Sequence, residues 1–154
     1  MDSKIKNNIK MSLEAKRLLQ KQLLILPIIS NSIQKVGVKN YRKNDHWAWY
    51  VFPTTKIGSS DPAKTALCNE TDARLLLKHT EPRKMWILVL DLLTSACYIQ
   101  KTRNVLPNID HKRVELFIKE WTHPDGIFVR AASSHIKFNK VLLRFAQVWK
   151  SLIN

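Results

Sequence analysis

Apolar positions recur at helical spacing along most of the chain. From Ser12 onward Ala15, Leu19, Leu23 and Leu26 fall four, four and three residues apart, which stacks them on one side of a helix. Pro27 has no N–H to give and crowds the preceding turn, so the pattern predicts an end or a kink there. A second short helix over 28–36 would then stop on Gly37 in the left-handed conformation. Asp61 ahead of Pro62, and Asn69 ahead of Asp72, read as helix starts, the latter leading into ARLLLKH. Glu81-Pro82 opens the most apolar stretch, Met85 to Leu93, which is apolar nearly all round and so predicts a central helix. Pro107 breaks the chain before Asp110 caps a helix carrying Val114, Phe117, Ile118 and Trp121. A last helix, Phe138 to Leu152, carries Val141, Leu142, Phe145, Val148, Trp149 and Leu152. Only IFVRA from Ile127 reads as a strand, with too little partner material for a sheet. The expected fold is all-α: one compact domain over residues 12–154, about six helices around the central apolar one, preceded by a flexible basic arm over residues 1–11.

Composition supports that reading. The 154 residues include 3 Gly, too few for the tight turns of a β-sandwich or for a glycine-rich phosphate loop. Five Trp, five Phe and 45% apolar residues suit a packed core. Cys68 and Cys97 form no CxxC pair or disulfide framework, which points to a reducing compartment and two buried thiols. The start MDSKIKNNIKMS has no apolar run behind it, and no apolar stretch approaches the ~20 residues that span a bilayer. The expectation is an intracellular chain, cytoplasmic or nuclear, with no membrane partner.

Charge narrows the classes of ligand. Twenty-six Lys and Arg against twelve Asp and Glu give a formal +14, and residues 1–43 hold ten of those cations with only Asp2 and Glu14 as acids. A basic field captures polyanions, so nucleic acid or a nucleotide is the first partner to consider, with a solvated lysine-rich surface as the plain alternative. The histidines His79, His111, His123 and His135 are scattered without ligand spacing, so no metal or other cofactor is expected. No nucleophile-elbow or Walker motif is present.

The segment DHWAWYVFP, Asp45 to Pro53, is the most distinctive in the chain. As a helical turn it puts His46, Trp49 and Tyr50 on one face and Trp47 and Val51 on another; as a strand it alternates them. Either way a Trp lies on each of two faces, one for the core and one for a pocket. At least two of Trp47, Trp49 and Phe52 are expected in the core. The ligand-binding candidates are Trp47, Trp49 and Tyr50 as stacking surfaces, with Lys39, Arg42, Lys43 and Lys35 as cations for phosphate. His46 beside Asp45, or beside a more distant acid, is the candidate for acid–base catalysis, with Arg42 as anion clamp. A pocket of about 300 Å³ or more converging on His46 would favour an enzyme acting on a small phosphorylated or nucleotide-like molecule. An exposed basic stripe without a cavity would favour a binding module, which ranks first. A third reading is an interaction adaptor using Trp149 and Leu152 of the last helix.

Through His46, Trp47, Trp49, Tyr50, Phe52 and Pro53 the chain resembles the family catalogued as domain of unknown function 1810, whose members carry His-Trp-x-Trp-aromatic-x-Phe-Pro after a basic loop. Similar features follow in order: Gly58 and Ser60, Asp72-Ala73-Arg74 with Leu76, the pattern LDLL, Pro107 and Asp110, Leu116-Phe117, and FNKVLLRF. The likeness spans about residues 28–146, with the His-Trp block its specific part. It implies an all-helical fold and assigns no activity. The chain has Thr54 where the family carries glutamine, and Asp45 where it commonly carries serine.

Overall fold

Helix α1, Leu13–Val36, begins at Ser12, whose hydroxyl accepts the Ala15 N–H at 3.1 Å. It runs unbroken through Pro27, against expectation. The reason lies in the seam: Ala15, Leu18, Gln22, Leu26, Ile29 and Ile33 are buried along one side, while Leu23, whose carbonyl loses its partner at Pro27, is 52% exposed. The orphaned carbonyl belongs to an exposed residue, where solvent can stand in for the bond, and packing on the buried side carries the helix across. The seam is therefore rotated from the one read through Leu19 and Leu23. Gly37 does stop the helix, at φ 90° and ψ 145°, a glycine conformation other than the left-handed helical one.

The computed structural model describes residues 10–152, so the basic arm expected over 1–11 falls mostly outside the described residues; Met11 packs against the core. After α1 come a short α2 (Ala48–Val51), α3 (Glu70–Lys78), the long α4 (Thr80–Gln100), a 3-10 turn (Arg103–Val105), α5 (Asn108–Thr122), a short α6 (Val129–Ser133) and α7 (Ile136–Ser151). There is no strand among the described residues, and the IFVRA segment forms a turn and α6 instead. One residue before it, Gly126 packs so tightly on the Glu120 carbonyl that the chain folds back there instead of extending.

Helix α4 is central, as expected, packing against α1, α7, α3 and α2. Its inward residues Trp86, Val89, Leu90, Leu93, Ala96 and Cys97 meet an aromatic cluster in which Trp86 lies 4.6 Å from Phe138 and 5.4 Å edge-on from Trp121. Phe52 stacks on Phe145 at 5.5 Å. Cys97 is buried, whereas Cys68 is exposed on the loop before α3, contrary to the expectation of two buried thiols. That loop is held by polar bonds: the Asp72 carboxylate accepts from the Cys68 N–H and from the backbone and hydroxyl of Ser12, tying the start of α1 to α3.

Two expected caps also do other work. Asp61 starts no helix; its buried carboxylate accepts from the Ala63 and Thr65 N–H groups, the Thr65 hydroxyl and the Tyr50 hydroxyl. Asp110 makes no cap bond and instead pairs with Lys43. Asn69 caps α3 by accepting from the Asp72 N–H, as its spacing predicted. No helix among the described residues is long and apolar enough to cross a membrane.

Candidate functional site

The aromatic block ends in a heavily anchored segment. Two core tryptophans donate their indole N–H groups to it, Trp86 to the Val51 carbonyl at 3.0 Å and Trp121 to the Pro53 carbonyl at 2.9 Å. Arg113 on α5 donates to the Phe52 carbonyl, the Thr54 hydroxyl and the Lys56 carbonyl. Glu120 accepts from the Thr55 N–H and hydroxyl. Thr54, which stands where the resembled family has glutamine, is fully buried in this arrangement.

Beside that segment lies a cleft of about 590 Å³, within the range of small-molecule sites. Its walls are the loop from Lys43 to Trp49, the turn Gly58-Ser59-Ser60, and the start of α5 from Pro107 to Arg113. Among the expected residues, Asp45, His46, Lys43, Trp47 and Trp49 line it. His46 and Asp45 are both exposed, and no hydrogen bond joins them. Trp49 is half-buried and meets Tyr50 edge-on at 5.7 Å. A Cβ on Gly58 would fall 2.2 Å from Trp49 Nε1, so only glycine lets the indole edge lie against that turn.

The other candidates are placed elsewhere. Trp47 is only 4% exposed, and the Lys43 ammonium lies 5.0 Å from its ring centre, so its face is occupied. Lys43 itself is buried and bonded to Asp110 at 2.8 Å, which cancels its charge within the cleft wall. Tyr50 is buried beneath Lys21 and bonded to Asp61. Burial, reinforced by that carboxylate, pushes its hydroxyl far above the ordinary phenol range. Trp47 and Val51 share the core side, as the helical alternative predicted, but Tyr50 turns inward with them instead of joining His46. Lys35, Lys39 and Arg42 are exposed and line no part of the cleft. Trp149 is buried, its face under Arg103, so the adaptor reading loses its exposed tryptophan.

Lys112 and Arg113 supply the cleft cations that sequence reasoning missed. Burial lowers the Arg113 pKa, opposed by the charges of Asp61, Glu120 and Asp110; the guanidinium remains charged, with no carboxylate at ion-pair distance among the described residues. No spacing rule joins position 113 to the His-Trp block. Gly58 was the available signal, one of three glycines and close behind the motif. The free start of α5 adds to the positive potential, because no side chain caps its first amides.

His111 is structural, with Nε2 at 2.9 Å from the Leu106 carbonyl and its ring edge-on to Trp149. His123 sits in a turn, its Nδ1 accepting the Asp125 N–H. No group of three metal-ligating side chains occurs among the described residues. The chain matches no protein-family model, no curated protein and no solved structure.

Proposed function

We propose that the protein binds a nucleotide-like anion in the cleft, the ring stacked on Trp49 and the phosphate held by Lys112 and Arg113. The observation that carries this reading is the convergence of a half-buried indole, two cations with no carboxylate at ion-pair distance among the described residues, and an uncapped helix start on one cavity of about 590 Å³. The anchored loop beneath keeps the indole and guanidinium in place before any ligand arrives, which lowers the entropic cost of binding. On this reading the chain is a relative of the domain of unknown function 1810, and its His-Trp block is the wall of the site.

A second reading, turnover of the bound molecule, rests on His46 and on the cleft itself, whose volume of about 590 Å³ beside that ring meets the size expected from the sequence for an enzyme. The ring lies exposed in the cleft wall with Asp45 beside it in sequence, and an imidazole in that position is within the class of groups that serve as general acid or base.

Thermal-shift titration with AMP, ADP and ADP-ribose tests the first reading. A ligand at about one hundred times its Kd stabilises by about 2.7 kcal/mol, which is about 5–10 °C for a chain of this size. Trp49→Ala should remove the shift and His46→Ala should leave it. No shift with any of the three overturns the reading. Loss of a chromatographically detected product in His46→Ala, with the shift retained, would establish the second.

A further inference from the structure

A second cavity lies just beyond the turn that walls the cleft. It is a groove of about 440 Å³ between α1 and the segment Pro62-Ala63-Lys64, lined on the helix side by Arg17, Gln20, Lys21 and Leu24. Three of its seven lining residues are cations and none is an acid. No carboxylate among the described residues lies at ion-pair distance from Arg17, Lys21 or Lys64. Arg17 and Lys21 stand four residues apart and so project on neighbouring turns of one helix face. Lys64 is fixed from the other side. It holds a φ of 52°, unusual for a side-chain-bearing residue, between Ala63 and Thr65, whose N–H groups are both bound by Asp61.

The acid nearest Lys64 in sequence is thereby consumed: Asp61 is 4% exposed, with its oxygens turned inward onto four donors. The geometry thus spends its carboxylate on presenting a lysine, and leaves that lysine's charge open to solvent.

Cleft and groove are neighbours. Ser60 lines the first and Pro62 the second, and residues two apart have Cα atoms at most about 7 Å apart. Cations therefore mark out a path from Lys112 and Arg113 in the cleft, past the 58–64 turn, to Arg17, Lys21 and Lys64 in the groove. A single nucleotide occupies only the first part of that path. We infer that the ligand is a single-stranded nucleic acid, one base stacked on Trp49 and the following phosphates carried over the turn into the groove.

This rests on the cleft reading and extends it. A single strand suits the arrangement better than a duplex, because a base can enter the cleft only when it is unpaired and unstacked. An acidic peptide would satisfy the cations but would leave the indole without a planar partner.

Fluorescence anisotropy with the full chain tests the inference, using labelled AMP and labelled six-nucleotide oligoadenylate, ribo and deoxy. The hexamer should bind at least about tenfold tighter than AMP, because extra phosphates release counterions. The variant Arg17→Gln/Lys21→Gln/Lys64→Gln should lose that advantage while AMP affinity stays unchanged. The slope of log affinity against log salt for the hexamer should fall by about two, at about 0.7 per phosphate. Lys64→Gly, which suits a φ of 52° and only removes the charge, should cost part of the hexamer affinity without touching the fold.

Equal affinity for AMP and hexamer, or a hexamer indifferent to the triple variant, overturns the inference and leaves the cleft reading standing. Equal competition by duplex, or by polyglutamate of matched charge, also overturns it. Failure of AMP and hexamer alike overturns the cleft reading itself.

Discussion

Lys43 and Asp110 join the loop before the aromatic block to the start of α5, and the pair can be tested quantitatively. Their charged atoms lie 2.8 Å apart, with side chains only 4% and 11% exposed. Each charge has been taken out of water and depends on the other, with the Trp47 ring beneath the ammonium. Removing one partner strands the other in a site with little solvent, which costs about 3–5 kcal/mol. Replacing both by apolar residues of similar volume removes attraction and desolvation together, with a net effect of about zero. Lys43→Met and Asp110→Leu should therefore each lower stability by about 3 kcal/mol, and the double variant by about 1 kcal/mol or less. Urea unfolding followed by far-UV circular dichroism measures this, provided the slope m is unchanged. Because the pair is neutral as a unit, the double variant should also keep its AMP affinity within about threefold, a difference under 1 kcal/mol. A single Lys43→Met variant costing under about 1 kcal/mol would refute the reasoning, since the two charges would then be hydrated in the native state.

The remaining predictions concern single positions and pH. Trp47→Ala should cost about 3–5 kcal/mol in urea unfolding, as expected for a sealed core aromatic, while the half-buried Trp49→Ala should cost about 1–2 kcal/mol; equal costs would mean that Trp49 is core and no wall of a site. Pro27→Ala should raise stability by about 2–2.6 kcal/mol, since it restores the N–H of α1 at a penalty of about 3 kcal/mol for proline, less about 0.4–1 kcal/mol of added unfolded-chain entropy. Any loss of stability there would show that the ring itself is packed. Burial pushes the Asp61 carboxyl up, but the bonds from Thr65, Ala63 and Tyr50 outweigh it and hold the group below its ordinary 3.8. A lowered carboxylate stabilises above that value and loses its contribution as pH falls through it, so Asp61→Asn should flatten the acid limb of a Tm-against-pH curve. Tyr50 and Tyr41 are raised instead, Tyr41 to about 12 by burial and then by the charge of Asp45. Raised phenols stabilise below pH 10 and lose that contribution as pH rises, so Tyr50→Phe should flatten the alkaline limb.

Most of the helices were legible because their signals are local. Asn69 with Asp72, the all-round apolar run at Met85 to Leu93, and the three-four spacing in α5 and α7 each state their element within a few residues. Pro27 misled because the cost of proline depends on where its orphaned carbonyl points. That direction is set by the seam through Leu18, Gln22 and Leu26, which lies one step round the helix from the more hydrophobic-looking Leu19 and Leu23. Asp61 and Asp110 both looked like caps, since a carboxylate before or near a helix start is the common local use. Their partners, Tyr50 and Lys43, lie 11 and 67 residues away, beyond the reach of any local pattern.

The same distance explains why the site was only half legible. The block at His46 to Phe52 was visible by composition, and it does wall a cleft, but a motif cannot say which of its rings is free. Lys43 decides that for Trp47 by covering it, Asp61 decides it for Tyr50 by drawing its hydroxyl inward, and Gly58 decides it for Trp49 by leaving room at the indole edge. The cations followed a different logic. Of those before the block in sequence, Lys39 and Arg42 do not line the cleft and Lys43 lies in its wall paired with Asp110, while Arg113 reaches it because the carbonyls of Phe52 and Lys56 draw the guanidinium across. Those carbonyls are free to accept because the block ends at Pro53, where the short α2 cannot continue. The proline that closes the aromatic motif therefore sets where the positive charge of the site lies.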